Sequence, residues 1–95
     1  MSVFVVETKL NGNSGVVTLQ SDNPKHAEAI DELQNMESRR LAISEASRNG
    51  LGVASINGWA LTPYPITKEG VPMEDPTTQS LGGYRIDIPV TAGRV

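Results

Sequence analysis

Gly83-Tyr84-Arg85-Ile86-Asp87-Ile88-Pro89-Val90 is the stretch on which the fold turns. Tyr84, Ile86, Ile88 and Val90 fall on one side of an extended chain and Arg85 and Asp87 on the other, the period of two of a strand with one covered face. It reads as the last strand of a sheet. Pro89 has no backbone donor and points to an edge position. The tail from Thr91 to Val95 carries no pattern and reads as frayed.

Working back from this strand, Thr67 to Ser80 reads as loop, with Lys68-Glu69-Gly70 and Glu74-Asp75-Pro76 as turn punctuation. Asn57-Gly58 is a two-residue hairpin signal, so Leu51–Ile56 and Trp59–Thr62 are expected to pair as third and fourth strands. Pro63 and Pro65 should end that pairing. Ser21-Asp22-Asn23-Pro24 is a helix start, with Asp22 or Asn23 as cap and Pro24 at the first helical position. The helix should run from about 24 to 48 and stop at Asn49-Gly50, on the order of 37 Å of helix.

Before it, Ser2–Leu10 is rich in β-branched residues. Val3, Val5, Thr8 and Leu10 alternate imperfectly, which would bury one end on both faces. Asn11-Gly12-Asn13-Ser14-Gly15 reverses the chain into Val16–Gln20. The order is β-β-α-β-β-loop-β. This is an α+β domain over residues 1–95, an antiparallel sheet covered on one face by one long helix, with a proline- and aromatic-rich loop at about 63–82.

The helix pattern itself is irregular. Ala27, Ala29, Ile30, Leu33, Met36, Leu41 and Ile43 form a wide apolar arc interrupted by Glu37 and Arg40. Either the helix breaks near Glu37-Ser38-Arg39, or one stripe packs on the sheet and the other on a second subunit.

Composition narrows the function classes. The chain has 95 residues, no cysteine, and eight Lys/Arg against eleven Asp/Glu for a net charge of −3. That balance argues against a sequence-independent grip on nucleic acid, which needs a basic excess on one face. The apolar run Val3–Val6 is too short for a signal core or a membrane span, so the expectation is a cytoplasmic protein with no membrane partner.

His26 is the only histidine. With no cysteine beside it, no transition-metal set is expected. Glu69, Glu74 and Asp75 match no calcium loop, and Glu28 and Glu32 read as exposed helix surface. Gly12-Asn13-Ser14-Gly15 leads into a strand and lacks the Gly-Lys-Ser/Thr of a phosphate loop. No Gly-x-Ser-x-Gly elbow is present. The chain therefore reads as non-enzymatic, with no cofactor and no metal.

The residues suited to binding are Trp59, Thr62, Tyr64, Tyr84, Arg85 and Arg40. The aromatic groups pair an apolar body with a polar handle, and Pro63-Tyr64-Pro65 is preorganised as an extended segment that should hold Tyr64 against something outside its own sheet. Arg40 falls inside the apolar arc, where it either reaches out of the helix or meets an anion or carboxylate. The first expectation is a small interaction protein, of adaptor or inhibitor type. It would self-associate through the helix or the last edge strand and bind a protein partner through the 57–85 region. The alternative is a homo-oligomer with an intersubunit pocket, in which Trp59, Tyr64 and Arg40 or Arg85 hold an aromatic or anionic small molecule.

Overall fold

The structure, a computed structural model, describes residues 3–52, 54–56, 62–73 and 81–92. Its strands are β1 (Val3–Asn11), β2 (Ser14–Ser21), β3 (Ala54–Ile56), β4 (Tyr64–Thr67) and β5 (Leu81–Ala92). Between β2 and β3 lie α1 (His26–Gln34), α2 (Met36–Ala46) and a π-helical turn, Ser47–Leu51, that leaves helical dihedrals at Gly50 (φ 122°). All pairings are antiparallel, in the order β1-β2-β5-β3, with β4 also paired to β5. The α+β class and antiparallel sheet expected from the sequence are present, but two helical segments take the place of one long helix.

The β1–β2 hairpin closes through Gly12 and Asn13, with Asn11 opposite Ser14 and Gly12 at φ 66°, a conformation that favours glycine. The uneven alternation in β1 has a local cause. A bulge at Val6 shifts the register between Val5 and Glu7. Val3 and Val5 face the covered side before it, and Thr8 and Leu10 face that side after it. The extra residue resets the phase, so neither end is buried on both faces.

β5 is central, not an edge. Tyr84 lies opposite Ser21 of β2 on one side and Pro65 of β4 on the other, and Val90 lies between Gly15 of β2 and Ile56 of β3. Pro89 falls between the stretches of β5 that pair with β3 and with β4, and its opposite number is Val16. A missing donor is tolerated where one side of the strand has no ladder to feed. Pro65 does not end pairing either. It sits within β4, an outer strand that can absorb it, whereas Pro63 is buried just before. At Gly83, with φ 143°, an added Cβ would lie 2.6 Å from the Ser21 carbonyl oxygen, so only glycine lets β5 approach β2 there.

The expected third strand is shortened to Ala54–Ile56 because the π-helical turn runs on to Leu51. Of the expected fourth strand, 59–61 lie outside the described residues and Thr62 is not extended in a ladder. Part of the predicted loop is regular structure. The Ile66–Pro72 bridge and the bonds Thr67 N–H to Val71 O (2.8 Å) and Met73 N–H to Pro65 O (3.0 Å) fold 64–73 back on itself.

The helical layer starts later than its cap signal implies. Lys25 occupies the cap position with no side-chain bond, and Pro24 precedes the helix. Asn23 instead accepts the Lys25 N–H at 2.9 Å, as an Asx turn. The Glu32 carboxylate ties this entry down by accepting from Ser21 Oγ (2.8 Å) and Asn23 Nδ2 (3.2 Å).

The break falls at Asn35, two residues before the Glu37-Ser38-Arg39 site expected from the sequence. Asn35 is extended (φ −77°, ψ 172°) and caps α2 by accepting the Ser38 N–H at 2.9 Å. The buried Ser38 hydroxyl donates to the Glu32 carbonyl, which the break would otherwise leave without a helical partner.

Val17, Leu19, Tyr84, Ile86, Ile88 and Val90 form the sheet side of the core. Leu33 is the large side chain that the helices add. The remaining buried apolar positions of α1 and α2 are Ala29, Ala42 and Ala46, and small residues there let the helices lie close to the sheet. Burial of Leu33 and Ile86 is worth roughly 1.5–3 kcal/mol each.

Candidate functional site

Adjacent residues of β5 point to opposite faces, which separates the binding residues expected from the sequence. Tyr84 is buried on the covered face, its ring meeting His26 edge-on at 5.2 Å between centroids. Arg85 lies on the open face, and its guanidinium is engaged within the chain. Nε donates to Gln20 Oε1 at 2.9 Å and Nη1 to the Gly70 carbonyl at 3.1 Å. It thereby fastens the 67–70 turn to the sheet.

Tyr64 belongs to the same network. Its hydroxyl donates to both oxygens of Asp87, at 3.0 and 3.1 Å, and Thr18 Oγ1 donates to Asp87 at 2.9 Å. Burial, then the bond and charge of Asp87, push the Tyr64 phenol up to about 12, against a nearby Arg85 that pulls the other way. At neutral pH Tyr64 is a fixed donor to its own sheet, so the expected contact outside that sheet is replaced by Asp87. Thr62 is exposed just ahead of β4, and Trp59 lies outside the described residues.

Arg40 is elsewhere. It is exposed on α2, and its position inside the apolar arc is explained by a cleft between α2 and β3. The cleft is about 330 Å³, lined by Met36, Arg39, Arg40, Ile43, Ala54 and Ile56. Met36 is 60% exposed, and here it does not stand alone but borders Ile43 and Ile56. A second cleft, about 410 Å³, lies at the helix break, with Asp31, Gln34, Asn35 and Arg39 above Ile86 and Ile88. The α2–β3 cleft is mainly apolar with cationic walls. The one at the break is polar at its rim.

The sequence singles out Arg40 but not its surroundings: Met36 and Ile43 belong to the apolar arc and Ile56 to a strand. Only the packing of α2 against β3 shows that these three border one cleft. Tyr64 and Arg40 do not share a pocket, and the α2–β3 cleft is formed within one chain. Among the described residues no group of three or more His, Cys, Asp or Glu side chains is arranged to hold a metal ion, and no helix is long and apolar enough to cross a membrane. In comparisons with known proteins the chain matches no family model, and no curated protein or solved structure is significantly similar to it.

Proposed function

We propose that this chain is a small, non-catalytic binding protein whose site is the α2–β3 cleft, and that the ligand is an apolar group carrying a negative charge. The observation that carries this reading is the joining of an exposed Met36 with Ile43 and Ile56 beside the guanidinium of Arg40. An apolar wall supplies affinity through area removed from water, and a cation at its rim selects and orients an anion. Methionine is suited to such a wall because its flexible, polarizable side chain adapts to what it meets.

The test is a fluorescence titration with anilinonaphthalene sulfonate, an aromatic sulfonate of this chemistry, with circular dichroism to show that each variant is folded. Arg40→Glu should weaken binding roughly fivefold or more, since it turns a favourable charge contact into a repulsive one. Arg85→Glu, on the open sheet face, should bind as the parent does. Equal affinity for parent and Arg40→Glu would contradict the reading.

A second reading, capture of a protein partner through the 57–85 region, is favoured by Val71. It is 57% exposed on the turn that Thr67 and Arg85 hold in place. A preorganised turn presenting an apolar tip loses little entropy on docking. This reading expects Val71→Asp to abolish partner binding while leaving the sulfonate probe unaffected.

A further inference from the structure

Among the described residues the sheet ends at β1 on the side away from the cleft, and β1 is the longer of the two terminal strands of the β1-β2-β5-β3 order. It has nine residues against three in β3. Five of its residues are apolar: Val3, Phe4, Val5, Val6 and Leu10. Phe4 and Val6 are 42% and 39% exposed, while Val3, Val5 and Leu10 lie at the margin of the core, only partly covered. A long apolar edge is a template for another strand, and monomeric proteins usually blunt such edges with charge, bulges or short length.

β1 carries two of those devices, the Val6 bulge and Lys9, but its charges are also self-complementary. Glu7 and Lys9 lie on the same face either side of Thr8, with Nζ and Oε1 3.6 Å apart, and both side chains are largely exposed. In an antiparallel pairing with a two-fold axis at Thr8, which overlaps residues 5–11 of the two strands and leaves Val3 and Phe4 outside the pairing, Glu7 faces Lys9 of the partner subunit and Lys9 faces the partner's Glu7. A slip of one residue in either strand breaks both contacts, and a parallel partner sets like charges side by side. The pair thus disfavours other strands while accommodating a second copy of this one.

We infer that the chain forms a two-fold dimer by antiparallel pairing of β1 with β1, making one continuous sheet with the two α2–β3 clefts at its far ends. Backbone bonds along the edge supply the association, and the Glu7–Lys9 contacts set its register. The inference is independent of the cleft's ligand, and its test does not use that ligand.

The test is solution mass by light scattering at tens of micromolar on four proteins: the parent, Glu7→Lys, Lys9→Glu, and the double variant Glu7→Lys/Lys9→Glu. The parent should run as a dimer. Each single reversal makes both symmetry-related contacts repulsive and should weaken association by about tenfold or more. The double variant restores opposite charges across the axis and should recover the dimer. Both positions are exposed, and circular dichroism checks that every variant is folded. A monomeric parent, single variants with unchanged association, or a double variant no better than the single ones would each overturn the inference.

Discussion

The open face of the sheet and the α2–β3 cleft use the same residue types to opposite ends. On the open face, Arg85 and Tyr64 are engaged in holding β2, β4, β5 and the 67–70 turn together, through Gln20, Gly70 and Asp87. In the cleft, Arg40 stands exposed beside apolar side chains that the fold leaves partly uncovered. An arginine or tyrosine is available to a ligand only where the surrounding backbone and carboxylates have not already taken its donors. What marks the cleft is uncovered Met36 and Ile56, not the chemistry of its charged residues alone.

The largest expected effect lies beneath both regions. Leu33→Ala removes the main side chain that the helices contribute to the core and should lower unfolding free energy by about 3 kcal/mol in a denaturant titration. Next comes the joint that sets the wall of the cleft. Ser38→Ala removes the donor to the Glu32 carbonyl and should cost about 1–2 kcal/mol. It should also alter probe binding, because α2 enters at an angle fixed by that joint.

Arg85→Ala sharpens the contrast between the regions. It should destabilise the fold by about 1 kcal/mol through loss of its bonds to Gln20 and Gly70, and leave probe affinity at the parent value. The smallest effect is seen in a pH titration. Tyr64 has a folded-state value of about 12 against an ordinary 10.0, so its protonated form is favoured by folding. Its contribution should be complete below pH 10 and be lost as pH rises toward 12. An ultraviolet titration of the phenols should show Tyr64→Phe removing the high transition.

The local features of the fold were legible because their causes are local. The period of two from Tyr84 to Val90 identifies the covered face correctly. The slip between Val5 and Thr8 was visible, and its cause is a single inserted residue at Val6. The interrupted arc around Glu37 and Arg40 left two explanations open, a broken helix or a second stripe for a partner subunit, and the expected single long helix is two segments in the structure. The break itself was hidden at Asn35, since an asparagine followed by Met-Glu-Ser also suits helix interior until its side-chain oxygen Oδ1 is seen to accept from the Ser38 N–H.

What was not legible depends on distant partners. Pro89 looks like an edge residue in isolation, yet β3 and β4 pair with β5 on either side of it. Tyr64 looks available until Asp87, twenty-three residues later, accepts its hydrogen bond. The cleft joins Met36 and Ile43 to Ile56 across the π-helical turn, a juxtaposition that no spacing rule supplies.

The most direct test of the central claim is an amide nitrogen–proton correlation spectrum of the folded protein titrated with anilinonaphthalene sulfonate. The account predicts shifts concentrated in α2 from Met36 to Ile43 and in β3 from Ala54 to Ile56, with Gln20, Tyr64, Arg85 and Asp87 unmoved. Shifts concentrated on the open face, with α2 and β3 silent, would contradict it.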